Sequence, residues 1–220
     1  MKTNQEYENA ALAALKGKWA PAALGTIVYL LIAVIISLAT EVLDPKTAAT
    51  GVILVAFVAV LLLTYLVLLP LTVGYYYTHN QLLMNGETAI TGNMFKAGFA
   101  RYGHNLWGMV LMAIFTFLWT LLFIIPGIIK SFAYFLTPYI LVDNPELSAN
   151  EAINLSQKMM KGHKFDLFWL ELSFIGWMLL GILTLGIGYI WLMPYMMTAT
   201  AAFYQDVKAE YLAKTSNVQQ

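Results

Sequence analysis

Three histidines, His79, His104 and His163, are the only imidazoles in the chain, and each stands where an apolar run meets polar residues. Brought to one membrane boundary and joined by Asp143, Asp166 or Asp206, they could supply the nitrogen and oxygen donors of a zinc or iron site. Their spacing matches no metal-binding or catalytic motif, HExxH included, so no catalytic residue, metal or cofactor is assigned. Lys18, His104, His163 and Lys164 equally suit contact with lipid phosphates, although cations that anchor a helix at headgroups look the same in sequence. Glu171 is the one carboxylate well inside an apolar run. A charge at that depth is costly unless paired or neutral, so Glu171 either hydrogen-bonds within a helix bundle or serves a ligand or proton. The chain has no cysteine, which removes disulfides, thiolate metal sites and thiol nucleophiles.

The elements that must carry these groups are membrane helices. Of the 220 residues, 60% are hydrophobic and 11% charged, against roughly a quarter charged in a soluble domain. Twelve basic and twelve acidic residues leave no net charge to attract nucleic acid. Six apolar segments follow one another, at 21–40, 50–77, 105–126, 128–143, 166–185 and 187–204. The run ending in "SLAT" is read as a retained span rather than a cleaved leader. The fourth segment, between Lys130 and Asp143, is short for a crossing of about 30 Å. It crosses only if Pro126-Gly127 forms the turn and Lys130 reaches outward to the far headgroups. With six spans and an internal N-terminus, ten of the twelve Lys and Arg residues lie inside, and only Lys46 and Lys130 outside. That bias places both termini in the cytoplasm.

A recurring entrance precedes the odd spans: "ALKGKWAPAAL", "ARYGHNLWGMV" and "MKGHKFDLFWL", with Gly17, Gly103 and Gly162. Each glycine ends a short mixed segment, "NQEYENAALAALK", "TGNMFKAGFARY" or "SANEAINLSQKMMK", that suits an amphipathic helix in the interface. The glycine then supplies a left-handed cap that turns the chain into the bilayer. Ser148 and Glu151 form a capping box at the start of the last such helix. The returning spans carry Pro70, Pro138 and Pro194, each freeing a carbonyl that protein or a cavity must satisfy. The pattern describes three repeats, 4–88, 89–146 and 147–213, each an interfacial helix followed by a membrane hairpin.

The stretch "IIPGIIKSFAYFLTPYILVDNPELSANEAINLSQKMMKGHKFDLFWLELSFIGWMLLGILTLGIGYIWLMPY", followed by "AAFYQD", resembles the bacterial integral membrane proteins of domain-of-unknown-function family 975. "LKGKW" and "YYYTHNQLL" extend the resemblance more weakly toward the N-terminus. The resemblance implies a polytopic protein of the bacterial cytoplasmic membrane and carries no activity with it. The arrangement is also distantly similar to membrane modules attached to some glycerophosphodiester phosphodiesterases, without their hydrolase domain.

The chain is therefore expected to be an all-α, single-domain polytopic membrane protein of six spans in three hairpins. Its expected role is non-enzymatic: binding or moving a lipid or amphiphile, or scaffolding a membrane protein partner. Membrane lipids are the expected partners and nucleic acid is not. The alternative is a metal-dependent enzyme built on the three histidines.

Overall fold

A computed structural model of the protein describes residues 1–42 and 51–218, and Lys46, expected outside the cell, falls outside the described residues. All regular structure among the described residues is helical. The N-terminal part comprises α1 (Asn4–Leu15), α2 (Trp19–Val42), α3 (Gly51–Asn85) and α4 (Ile90–Ala100). The middle comprises α5 (Tyr102–Leu122), α6 (Ile124–Tyr134), α7 (Thr137–Asp143) and α8 (Ala149–Met159). Then follow α9 (Lys164–Ser173), α10 (Ile175–Leu183) and α11 (Tyr189–Val218).

Local chemistry fixes where the short helices begin. The Ser148 hydroxyl and the Glu151 carboxylate cap α8 reciprocally, as the sequence predicts, and Thr3 and Glu6 do the same for α1. Their apolar faces are covered by protein. Tyr7, Ala11 and Leu15 of α1 are buried, and α1 packs along α11. Ile90 and Met94 of α4 pack on α3 and α2, while Ala152 and Ile153 of α8 pack on α5 and α7. Each short helix thus rests on a long helix from elsewhere in the chain.

Two of the three expected elbows form as glycine caps. Gly17 (φ +74°) and Gly162 (φ +97°) adopt the left-handed conformation, and α1 turns through 100° into α2. Gly103 does not: it lies inside the first turn of α5, and the break falls at Arg101 (φ −123°, ψ 58°). The reason is Asn105, whose amide donates to Ala97 O (3.0 Å) and Gly98 O (2.8 Å) and so satisfies the end of α4 from the next helix. Gly162→Val should therefore lower the melting temperature in detergent clearly, because a β-branched residue is strongly disfavoured at positive φ. Gly103→Val should change it by no more than helix propensity does, under about 1 kcal/mol. Equal shifts for the two variants would show that Gly162 is not a conformational cap.

The prolines and the second hairpin also depart from expectation in detail. Pro70 and Pro194 lie inside α3 and α11, as read from the sequence. Pro70 leaves Leu66 O without its helical partner, and the Tyr102 hydroxyl donates to it at 3.1 Å. Pro138 instead stands in the first turn of α7, after a break at Phe135–Leu136, where a missing N–H costs nothing. The turn between α5 and α6 is not at Pro126-Gly127. It is the single extended residue Phe123 (φ −156°, ψ 138°), and Pro126 sits in the first turn of α6. Gly127 serves close packing: a Cβ there would lie 2.6 Å from Thr120 Cα. Lys130 does not point away from the α8 side of the molecule, as a far-side lysine would. Its ammonium donates to Gln157 of α8 at 3.0 Å and lies 4.7 Å from the Trp119 ring centre.

Among the described residues, four segments are long and apolar enough to cross a membrane: Val55–Asn85, Tyr102–Leu122, Ile124–Asp143 and Lys164–Leu183. Counting the bent α1–α2 pair makes five. The protein is all-α, with four to five helices among the described residues that could span a membrane. The sixth expected segment, 187–204, lies largely in α11 and is not counted among them. The core lies where α3, α7 and α11 meet, around Val73, Leu136, Tyr139, Ala199, Phe203 and Tyr204.

Candidate functional site

Asn93, Lys96, Ala97 and Ala100 recur at helical spacing along one face of α4. That face, with Arg101 and Asn105 beyond it, borders a hollow of about 290 Å³. Tyr77 of α3 and the apolar wall of Leu141, Val142 and Pro145 complete it. Lys96 and Arg101 are exposed and form no ion pair among the described residues, and no carboxylate lines the hollow. Asn105, buried, has both amide protons committed to α4 carbonyls, so it shapes the hollow's floor. Two unpaired cations over an apolar wall suit an anion with hydrocarbon attached, and Asn93 and Tyr77 add neutral hydrogen-bonding groups. Sequence reasoning counted Lys96 and Arg101 only as topological charges. The signal that could have found them is the 93–96–97–100 spacing on a helix free of acidic residues.

The residues singled out from sequence are not brought together. His79 is fully buried against Tyr75 (ring centres 4.5 Å apart), and neither ring nitrogen meets a protein partner. His104 also has an unpartnered buried Nε2. His163 sits between two carboxylates, Nδ1 to Asp166 at 3.2 Å and Nε2 to Glu210 at 3.3 Å. Among the described residues no group of three or more His, Asp or Glu side chains could hold a metal ion. Lys18 lies over Gly86, where a Cβ would be 2.6 Å from its Nζ, and so faces the C-terminal end of α3. Lys164 borders a separate trough of about 430 Å³ whose other walls are Ile128, Ile129, Phe132, Phe165 and Phe168.

Glu171 is half-buried and makes no hydrogen bond or ion pair with a described residue. Phe168, Leu172 and Ile175, close to it in sequence, are all exposed. A polar network joins α7 and α11. The Tyr204 hydroxyl donates to Asp143 at 2.7 Å, Lys208 pairs with the same carboxylate at 2.6 Å, and Tyr139 stacks on Tyr204 at 4.6 Å. The N-terminal helix is held likewise, by Tyr7 to Asp206 (2.7 Å) and by Ser173 (2.8 Å) and Tyr195 (2.9 Å) to Glu8. Outside the apolar segments, Lys214 and then His163 hold the Glu210 carboxyl below its usual range. The Ser148 cap does the same for Glu151.

A family described as protein of unknown function (DUF975) matches residues 100–211, which include Arg101, Asn105, Glu171 and the α5–α10 helices. No curated protein and no solved structure matches the chain. With half its length matched, the chain belongs to the DUF975 family, as its "PG", "PY", "MKGHK" and "LTLGIG" segments led one to expect.

Proposed function

We propose that the protein is a non-enzymatic module of the bacterial cytoplasmic membrane, with both termini inside, that holds an anionic lipid at its cytoplasmic boundary. One observation carries this reading: Lys96 and Arg101 stand unpaired over a hollow with no carboxylate and an apolar rear wall. A phosphodiester headgroup would accept hydrogen bonds from both cations, and the attached glycerol and chains would meet Leu141 and Val142. The positive-inside bias supports the cytoplasmic side, since Lys96 and Arg101 belong to the majority set of basic residues.

The test is lipid retention through purification, read by mass spectrometry after exchange with vesicles of phosphatidylglycerol or of phosphatidylcholine. The wild-type protein should retain phosphatidylglycerol preferentially. Lys96→Ala/Arg101→Ala should lose it by about tenfold or more, since a charge-assisted hydrogen bond is worth about 1.5–3 kcal/mol. Lys16→Ala/Lys158→Ala, which removes the same charge elsewhere, should retain it. Equal retention by both double variants, or equal retention of the two lipids, would sink the reading and leave scaffolding as the better account.

A further inference from the structure

The α5–α6 hairpin carries no Asp, Glu, Lys or Arg from Tyr102 to Ile129, and its tip is bare hydrocarbon. Phe123, Ile124 and Ile125 at the tip are each 70–71% exposed. A loop that emerged on the far side of a membrane would be expected to carry polar groups there, as the sequence between α2 and α3 does in Asp44 and Lys46. The α5–α6 turn has none.

The hairpin is also tied near its base to a polar helix. α8 exposes Asn150, Glu151, Asn154 and Lys158, so that face of α8 cannot lie in hydrocarbon. Lys130 bonds to Gln157 of this helix, and Ile153 packs with Ala133 and Tyr134 against Leu111, Met112 and Phe115. Beyond those contacts each leg has only a short reach: Thr116 to Leu122 on α5 and Ile124 to Lys130 on α6. Seven helical residues extend about 10 Å, and the Lys and Gln side chains together span at most about 10 Å more. The tip therefore lies within about 20 Å of α8, whereas a crossing needs about 30 Å.

We infer that the α5–α6 hairpin is re-entrant: it enters the cytoplasmic leaflet, turns at Phe123 near the bilayer centre and returns to the side it came from. This rests on the cytoplasmic placement proposed above, which puts α8 on that side. A hairpin that enters and leaves on one side preserves the sidedness of everything after it, as two full crossings would. Lys130 then joins the cytoplasmic set, leaving Lys46 as the single basic residue outside. The partner of the exposed aliphatic tip is the acyl-chain region of one leaflet, and the hairpin occupies area in that leaflet alone.

The absence of cysteine lets nitroxide labels be placed singly in the native sequence. Labels at the exposed positions Phe117, Phe123 and Ile128 are to be compared in vesicles of phosphatidylethanolamine and phosphatidylglycerol, using collision with oxygen against a water-soluble nickel chelate as the measure of depth. A re-entrant hairpin makes Phe123 the deepest of the three. Full crossing makes Phe123 the shallowest, because the turn would reach the far headgroups; any profile in which Phe123 is not deepest overturns the inference. Asn154→Cys, read with a membrane-impermeant maleimide, separates the two claims. Labelling only when the cytoplasmic side is opened supports the assignment of the leaflet. Labelling from outside intact cells overturns that assignment and the orientation beneath it, while the depth profile still judges the hairpin itself.

Discussion

Gly74→Ala is expected to destabilise the detergent-solubilised protein by about 3 kcal/mol, the upper range for overpacking a close contact. In a chain of this length that corresponds to a fall of roughly 6–12 °C in melting temperature. The cause is a backbone-to-backbone approach of α3 and α4. A Cβ at Gly74 would run into the Met94 carbonyl oxygen and lie 2.8 Å from Met94 C and 2.9 Å from Gly98 N. The reciprocal glycine on α4, Gly98, is equally enclosed, with a Cβ placed 2.5 Å from Pro70 O. Main-chain atoms within two packed helices cannot swing aside as a side-chain tip can, so α4 must lift away from α3. Gly92→Ala on the same short helix meets nothing within 4 Å and should be neutral or slightly stabilising through helix propensity. Thermal unfolding of the two variants decides the matter, and similar melting temperatures would show that α3 and α4 do not pack this closely.

The second large effect is at Asn105. Its amide makes both bonds that close α4, and Asn105→Ala leaves Ala97 O and Gly98 O without those donors, at a cost of about 2–3 kcal/mol. Asn105→Asp, of almost identical shape, should fare no better, because a carboxylate has no N–H to donate and sets negative charge against two carbonyl oxygens. Both variants should also loosen the Lys96–Arg101 hollow and weaken phosphatidylglycerol retention. Wild-type stability for Asn105→Asp would refute the capping role.

Much of this architecture was legible because local rules act locally. A capping box needs only four residues, so Ser148 and Glu151 announced the start of α8. Gly17 and Gly162 were readable because a glycine after a mixed apolar and charged segment is a strong helix stop. Gly103 misled for a physical reason: the same spacing occurs, but a side chain from the following helix does the capping, and no local pattern encodes a partner that arrives through tertiary packing. Pro126-Gly127 misled similarly, since proline is as comfortable in a first helical turn as in a loop, and the choice of Phe123 depends on how tightly Gly127 can approach Thr120. The candidate site was the least visible part. Lys96 and Arg101 matter through what fails to lie opposite them, and the absence of a carboxylate across a hollow is not written in the neighbourhood of either residue.

The docking of α1 on α11 has a temporal side. Lys2 N–H to Asp206, at 3.0 Å, joins positions 204 residues apart, so α1 is completed by a helix synthesised long after it. At about 5–20 residues per second of translation, roughly 10–40 s separate the emergence of these two partners. For that interval the Lys2 and Tyr7 donors lack Asp206, while Leu15 already has Ala22, Leu82 and Ile90 to pack on. Docking of α1 along α11 is thus a late step of assembly, and a chain that stops short of Tyr189 leaves Lys2 and Tyr7 without the acceptor that Asp206 provides.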